Sequence, residues 1–301
     1  LSARLPRMIS IIINPVSGGG TLSDARARAQ QATSILASLG LEGDVQLTER
    51  RGHAHALAVA AVANGARRVV AWGGDGTVNE VASALVTTPV TLGIVPSGSG
   101  NGLARELRLP TSSDLAMRLA CTSTSRAIDA GTIDGHWFFS IAGIGFDAHV
   151  AAAFDSDGGR RGLAGYVRMT ARELFRYNAR TYTIDQAAPR RALLVTFANT
   201  TQFGNGARIA PRARLDDGLL DLVLFEERSR LFTVLGLPSL FTGRVDRVAG
   251  VSMSTVTSAV VRCDEPMLFH VDGEPMQGGT QLPVQVHPAV LNVAAGASAT
   301  A

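Results

Sequence analysis

The stretch Trp72-Gly73-Gly74-Asp75-Gly76-Thr77 constrains this chain more than any other part of its sequence. An apolar run ends in this stretch, and a helical pattern begins at Thr77. Glycines let a backbone approach a phosphate closely, and the N–H groups at the start of a helix attract anions. An aspartate in such a loop repels bare phosphate, but it is suited to hold a metal ion or to handle a hydroxyl proton. The combination therefore predicts a nucleotide with magnesium, and hence phosphoryl transfer.

Two further glycine-rich junctions follow the same plan. One is Asn14-Pro15-Val16-Ser17-Gly18-Gly19-Gly20, and the other is Ser97-Gly98-Ser99-Gly100-Asn101-Gly102. Each comes after an apolar strand pattern and before a helical one, so in a parallel sheet all three would gather at one edge. A lone glycine-rich turn is weak evidence of phosphate binding, whereas three with one topology are strong evidence.

The composition narrows the chemistry of a phosphate site. Of the 301 residues, 46% are hydrophobic and 18% are charged, which is typical of a folded protein with room for two domains. The sequence contains no lysine. This excludes a P-loop lysine, so a phosphate site must use backbone N–H groups, arginine and metal instead. No basic run with interleaved aromatic residues indicates nucleic-acid binding.

Other bulk features bear on localisation. Cys121 and Cys263 show neither metal-ligand spacing nor a disulfide framework, which favours a reducing, cytoplasmic compartment. No apolar run is long enough to cross a bilayer. Membrane contact is therefore expected to be peripheral at most.

The pattern of predicted elements divides the chain in two. Residues 1–126 alternate strands with helices, which predicts an α/β domain with a mostly parallel sheet. Short β-like runs dominate residues 127–293 and predict a β-rich second domain. Two of these runs, 137–144 and 256–261, are each predicted as one strand, and helical patterns lie near 162–177 and 230–240. The small-residue tail, 294–301, is expected to be flexible.

Ordered motifs along the chain resemble those of the diacylglycerol kinase, ceramide kinase and sphingosine kinase superfamily, including its soluble bacterial lipid kinases. Beyond the three glycine junctions they are Ile128-Asp129-Ala130-Gly131, Gly143-Ile144-Gly145-Phe146-Asp147-Ala148, Asp216-Asp217-Gly218-Leu219-Leu220-Asp221 and Val271-Asp272-Gly273-Glu274. The resemblance implies an α/β nucleotide-binding domain followed by a β-sandwich-like domain, with the active site in the cleft between them. It implies transfer of the γ-phosphoryl group of ATP, with Mg²⁺, to a hydroxyl of a lipid such as diacylglycerol or a sphingoid base at a membrane surface. It also allows a homodimer.

The resemblance assigns roles position by position. The positions where the family holds ATP are Asn14, Pro15, Ser17, Gly18, Thr48, Gly73, Gly74, Asp75, Gly76, Thr77, Glu80, Ser99 and Asn101. Asp75 falls at the aspartate used for magnesium and catalytic organisation, and Asp129 is a second candidate ligand. Asp217, with the backbone carbonyls of Arg214 and Leu219, matches an additional, structural magnesium site.

The remaining assignments concern the lipid acceptor. Asp272 falls at the proposed general base, and Glu274 is the other acidic candidate. Asp147 resembles the acid that sphingosine kinases use for the substrate head group. Many bacterial diacylglycerol kinases carry Thr and Asn-Asp where this chain has Ser99 and Asn101-Gly102, so the lipid class stays open.

Alternative interpretations accompany these assignments. Asp272-Gly273 also fits an ordinary hairpin turn, and the apolar segment 231–241 fits either a core helix or a lip that touches the bilayer. NAD kinase shares the Gly-Gly-Asp-Gly loop, but the Asn14-Pro15 motif and the Asp272-Gly273-Glu274 ending argue against it. A non-catalytic lipid or nucleotide sensor on the same fold is the second alternative, and the retained acids argue against that.

Overall fold

A computed structural model describes residues 9–156, 169–170, 172–203, 206–229 and 238–295. The chain divides into two compact units. The first comprises residues 1–128 and 289–301, and the second comprises residues 129–288. This division differs from the boundaries expected at residues 126 and 293 mainly at the C-terminal end, where the last part of the chain belongs to the first unit.

The first unit is a parallel sheet flanked by helices. Its strand order is β2-β1-β3-β4-β15, and each neighbouring pair runs parallel. The strands are β1 (Ile9–Ile13), β2 (Gly43–Leu47), β3 (Arg68–Gly73), β4 (Thr91–Pro96) and the last part of β15 (Gln281–Ala294). The helices are α1 (Leu22–Ser38), α2 (His53–Ala63), α3 (Asp75–Leu85), α4 (Gly102–Glu106) and α5 (Ser113–Thr122). The predicted α/β architecture is confirmed.

Helix α5 is the main element of this unit that the sequence pattern did not predict. It is a 10-residue helix, too short for its apolar period to stand out from the flanking polar residues. Its buried residues Met117 and Ala120 pack in one cluster with Ile11 and Trp72 from the sheet. Tertiary packing of this face therefore stabilises a helix that its local sequence signals only weakly.

The second unit is a mostly antiparallel sheet assembly. Its strand order is β14-β13-β7-β9-β8-β12-β15, and β10 joins β9 to β11. The strands are β5 (Ser125–Ile133), β6 (His136–Phe138), β7 (Ile141–Gly145), β8 (Arg180–Ile184), β9 (Arg190–Ala198), β10 (Leu220–Glu226), β11 (Val251–Val256), β12 (Ser258–Arg262), β13 (Leu268–Val271) and β14 (Glu274–Gln277). Helices α6 (Phe146–Ser156) and α7 (Pro238–Thr242) accompany them. The predicted β-rich class is confirmed, whereas α6 was not predicted.

Two runs predicted as single strands are each divided. The run 137–144 splits into β6 and β7 because the N–H groups of Phe139, Ser140 and Ile141 donate to the carboxylate of Asp272. The run 256–261 spans the end of β11 and the start of β12. Half of the predicted helix 162–177 lies outside the described residues, and residues 169–170 and 172–174 are helical. The predicted helix 230–240 and the tail lie mostly outside the described residues.

Strand β15 serves both units. Its residues Gln281 to Gln285 pair antiparallel with β12 in the second unit. Asn292 and Val293 pair parallel with β4 in the first unit. Between these stretches Ala289 has a left-handed backbone, with φ of 50°. One continuous strand thus pairs with a strand of each unit.

Candidate functional site

The three glycine-rich junctions form one cluster in the first unit, as predicted. They follow β1, β3 and β4, whose parallel pairing brings their carboxyl ends to one edge. The Oγ atoms of Ser17 and Ser97 lie 2.7 Å apart and join the first junction to the third. The Nδ2 of Asn14 donates to Thr77 Oγ1 at 2.9 Å and joins the first to the second. We call residues 14–20, 73–77 and 97–102 the three-loop cluster.

Glycines allow these loops to touch through their backbones. A Cβ on Gly98 would lie 2.7 Å from the Cα of Gly74, so a side chain there would push the second and third loops apart. Gly18 has φ of 68°, and a Cβ there would collide with the carbonyl of Ser97. Close backbone packing is therefore the reason for glycine at these positions.

Asp75 ties the second loop to the third. Its Oδ2 accepts a hydrogen bond from the N–H of Asn101 at 2.8 Å, and its Oδ1 accepts one from the N–H of Gly102 at 2.7 Å. Asn101 has φ of 53°, and its own Oδ1 accepts from Gly98 N–H at 2.9 Å. The carboxylate predicted for magnesium thus also fixes the backbone that leads into α4.

Glu80 has a similar organising role one turn further along α3. Its Oε1 accepts from Gly52 N–H at 2.8 Å, and its Oε2 accepts from Ala54 N–H at 3.0 Å. These bonds satisfy backbone donors at the start of α2, which has no cap from its own Gly52. Thr48 is buried directly after β2, and its N–H donates to Ile13 O at 2.9 Å.

The carboxylates of Glu80 and Asp75 therefore already bind the backbone N–H groups at the starts of α2 and α4. Helix α3 itself begins at Asp75 and follows Gly74, which has no side chain to cap it. Ser99, which was predicted to bind ATP, is exposed, whereas Ser97 makes the contact with the first loop. Ser97 was not singled out from the sequence, although its place at the end of the fourth strand was a usable signal.

In the second unit, Asp272 occupies a tight hairpin turn between β13 and β14. Asp272 and Gly273 have φ of 50° and 91°, and Val271 pairs with Glu274 across the turn, as in two-residue hairpins. The Asp272 carboxylate accepts from the N–H groups of Phe139, Ser140 and Ile141 at 2.8 to 3.0 Å. The hairpin interpretation is therefore confirmed, and the carboxylate is held in one orientation beside Glu274.

Asp147 lies in a buried polar cluster that the sequence did not reveal. Only 9% of it is exposed. Its Oδ1 accepts from Ala148 N–H at 2.8 Å, and its Oδ2 accepts from Thr196 Oγ1 at 3.1 Å. The Nε2 of His270 lies 3.5 Å from the same oxygen. Because His270 Nδ1 accepts from Gly273 N–H at 3.3 Å, Nε2 carries the proton of the neutral ring and faces Asp147.

Asp129 and Asp217 belong to a second acidic region. Asp129 is 3% exposed, its N–H donates to Leu215 O at 2.7 Å, and its Oδ2 accepts from Gly218 N–H at 2.7 Å. Asp217 is exposed, and its Oδ1 accepts from Leu219 N–H at 3.1 Å. Asp75 and Asp129, predicted as a magnesium pair, lie in different units, and each carboxylate accepts backbone N–H groups of its own unit.

Asp221, on β10, extends this acidic region. Burial, and then the negative charge of Asp217, raise the pKa of Asp221 to about 6. The side chain of Arg214 pairs with Asp216 at 3.3 Å. The ligand predicted from Arg214 is its backbone carbonyl, and this stays a prediction. Across the described ranges, no group of three or more His, Cys, Asp and Glu side chains forms a ready metal site.

Comparison with known proteins identifies the family. Residues 8–133 match the model of the diacylglycerol kinase catalytic domain, and residues 140–295 match the YegS C-terminal NAD kinase beta sandwich-like domain. A diacylglycerol kinase of Mycobacterium tuberculosis is 30% identical over 266 residues, covering 85% of each chain. The chain therefore belongs to the diacylglycerol kinase family of lipid kinases.

Other relatives agree with this assignment. A Yersinia pestis protein named "Probable lipid kinase YegS-like" is 29% identical over 260 residues, covering 83% of this chain and 86% of the relative. The crystal structure of a diacylglycerol kinase from Bacillus anthracis str. Sterne shares the fold, with a TM-score of 0.73 at 18% identity, and covers 97% of this chain and 98% of that one. Among the described helices, none has the length and apolar character needed to span a membrane.

Proposed function

We propose that this protein is an ATP- and magnesium-dependent kinase that transfers the γ-phosphoryl group to a hydroxyl of a diacylglycerol-type lipid. The observation that carries the proposal is the three-loop cluster at the carboxyl edge of the parallel sheet. Backbone N–H groups, the Ser17 and Ser97 hydroxyls and the start of α3 converge there, where α/β proteins bind nucleotides. Family membership supplies the reaction class.

The loops would hold the nucleotide through positioning rather than covalent chemistry. Phosphoryl transfer requires the phosphates to be oriented and their charge to be neutralised. Asn14, bonded to Thr77, and Asp75, bonded to Asn101 and Gly102, fix the relative places of the three loops before any ligand binds. A rigid site of this kind loses little entropy when it binds the triphosphate.

The donor set around Asp217 fits magnesium chemically. Carboxylate and backbone carbonyl oxygens are hard ligands that suit Mg²⁺. Asp217, with the carbonyls of Arg214 and Leu219, would hold one ion that stabilises the acidic region. Asp75 would contribute to the ion that travels with ATP. That ion neutralises charge on the phosphate oxygens when it is bound.

The acceptor hydroxyl must lose its proton during transfer, and Asp272 is our candidate for the group that receives it. Three backbone donors orient the Asp272 carboxylate, so it can face a substrate hydroxyl without reorganisation. Glu274 begins β14 on the other side of the turn and is the alternative base.

The surroundings of Asp147 favour an uncharged head group. Its two carboxylate oxygens are engaged by Ala148 N–H and Thr196 Oγ1, and His270 lies beside them. Because only 9% of Asp147 is exposed, its carboxylate offers little surface to the ammonium group of a sphingoid base. We therefore favour diacylglycerol over sphingosine, in line with the names of the relatives.

Lipid substrates require contact with a membrane, and α7 is our candidate for part of that surface. Phe241 on α7 is 52% exposed. Arg208, whose N–H donates to Leu240 O at 2.7 Å, and Arg244 are exposed nearby. An aromatic side chain beside arginines suits an anionic bilayer surface.

A vesicle sedimentation assay tests this surface. The protein should sediment with vesicles that contain anionic lipid, and Phe241→Ser should weaken this binding. Unchanged binding of the variant would contradict the assignment.

The proposed activity is tested by magnesium-dependent transfer of labelled γ-phosphate from ATP in mixed micelles. The panel contains diacylglycerol, monoacylglycerol, ceramide, sphingosine and phosphatidylglycerol, with NAD as a soluble control. Label in diacylglycerol supports the proposal, and label in sphingosine alone would overturn the substrate class. Label in NAD alone would favour a NAD kinase, and ATP binding without transfer would favour a sensor.

A further inference from the structure

Arg28 places a cation against the three-loop cluster, and no motif or family match assigns it a role. It lies on α1, and its Nη1 donates to Ser17 Oγ at 2.9 Å and to Asn14 O at 3.4 Å. Its Nη2 donates to Ser17 O at 3.2 Å. Ser17 is 8% exposed, and its Oγ reaches Ser97 Oγ at 2.7 Å. The guanidinium therefore lies one side chain away from the contact between the first and third loops.

Among the described residues, no carboxylate forms a salt bridge with Arg28, and its hydrogen bonds go to uncharged oxygens of the first loop. Asp24, four residues earlier, uses Oδ2 to accept from Thr21 N–H at 2.7 Å. The hydrogen bonds from Thr21 are the main reason for the lowered pKa of Asp24, and the charge of Arg28 is the smallest cause. These bonds also use only part of the guanidinium's N–H donors.

A triphosphate needs positive charge, which arginine must supply in this chain. The sequence has no lysine, and Asp75 and Glu80 occupy the starts of α4 and α2. Arg105 donates to Gly100 O at 2.8 Å in the third loop and is exposed. Arginine presents a fork of donors that matches phosphate oxygens.

We propose that Arg28 binds the phosphate groups of the nucleotide and supplies the charge that lysine supplies in P-loop proteins. The inference rests on the proposed function, because it assumes that the three-loop cluster binds ATP. Arg28 is a binding residue here, since it would contact the phosphates directly while also holding Ser17 in place.

Nucleotide binding by Arg28→Gln tests this inference. Titration calorimetry with ATP, ADP, adenosine and tripolyphosphate separates recognition of phosphate from recognition of the nucleoside. Arg26→Gln is the matched control, because Arg26 is exposed on the same helix and loses the same charge. We expect Arg28→Gln to weaken ATP and tripolyphosphate binding by roughly 10- to 100-fold, with adenosine unchanged. Arg26→Gln should bind all four ligands like the unmodified protein.

The results that would overturn the role of Arg28 differ from the result that would overturn the proposed function. Equal losses for ATP and adenosine would show that Arg28 only shapes the first loop and would overturn the inference, as would unchanged ATP binding. If Arg28→Gln does not fold, Arg28→Lys is measured instead. It should keep adenosine binding but lose several-fold in ATP affinity, and full ATP affinity would contradict the role of the guanidinium fork. Failure of the unmodified protein to bind ATP would overturn the proposed function itself.

Discussion

Replacing Asp75 should destabilise the first unit even when neither metal nor nucleotide is present. Asp75 accepts two backbone hydrogen bonds, from Asn101 and Gly102. A hydrogen bond to a charged group contributes about 1.5–3 kcal/mol. Because Asp75 is partly exposed, solvent screening reduces this by roughly half. Asp75→Ala should therefore lower the free energy of unfolding by about 1.5–3 kcal/mol, and Asp75→Asn, which keeps one acceptor oxygen, by about 0.8–1.5 kcal/mol.

Urea unfolding in EDTA, followed by tryptophan fluorescence, measures this effect. Trp72 lies in the first unit and Trp137 in the second, so a Trp137→Phe background leaves a reporter for the first unit. Asp114→Asn is the control, because Asp114 forms a surface ion pair with Arg118 at 2.9 Å. Its loss should change stability by less than about 1 kcal/mol.

The assay separates two roles of the same carboxylate. If Asp75 served only as a metal ligand, removing its charge would leave stability in EDTA unchanged or would raise it. Unfolding of both Asp75 variants at the urea concentration of the control would refute the conclusion that the carboxylate ties the second loop to the third.

Gly98→Ala should abolish nucleotide binding without unfolding the second unit, because its Cβ would meet the Cα of Gly74 at 2.7 Å; near-normal ATP affinity by calorimetry would contradict this. Asp272→Asn should abolish phosphoryl transfer and keep ATP affinity, as expected if this residue is the base, and near-normal turnover would exclude that role. Asp221→Asn should raise stability at high pH, since its folded pKa of about 6 exceeds the reference value of 3.8. The folded state therefore binds the Asp221 proton more tightly than the unfolded state does. Ionisation of Asp221 consequently does not reduce the free energy of unfolding below about pH 4 and reduces it fully above about pH 7. Because Asp221 is half-buried, solvent screening reduces the gain, and denaturation in EDTA should show roughly 1–2 kcal/mol at about pH 8 and almost none at about pH 4. A gain independent of pH would refute the assigned cause.

The sequence predicts the fold well where periodicity and glycine placement set the structure. Strand β1 and the clustering of the three loops follow from apolar runs that lead into glycine-rich loops. Helices α5 and α6 were missed because short amphipathic segments depend on tertiary packing more than on local pattern. The division between β6 and β7 could not be predicted either. It depends on the Asp272 side chain, which lies more than 130 positions further along the chain.

For the site, the sequence identified the important residues more accurately than it predicted their roles. Asp75, Glu80 and Asp272 were predicted to act on ATP, metal or substrate, and each accepts hydrogen bonds from backbone N–H groups of a distant segment. Such partners are set by loop geometry, which residue spacing does not encode. His270 and Arg28 were missed for the same reason, because only the folded chain brings them to Asp147 and Ser17.

Because β15 pairs with strands of both units, its position near the end of the described chain affects how the protein folds during synthesis and which fragments of it can fold. A nascent chain that has been synthesised only to residue 128 lacks the strand that pairs with Thr91 and Leu92 of β4. The hydrogen-bonding edge of β4 would stay open until residues 292 and 293 leave the ribosome, and open edges invite aggregation. A fragment limited to the catalytic-domain match, residues 8–133, would carry the same open edge permanently. Fusing residues 289–295 to that fragment through a short linker should restore the missing strand.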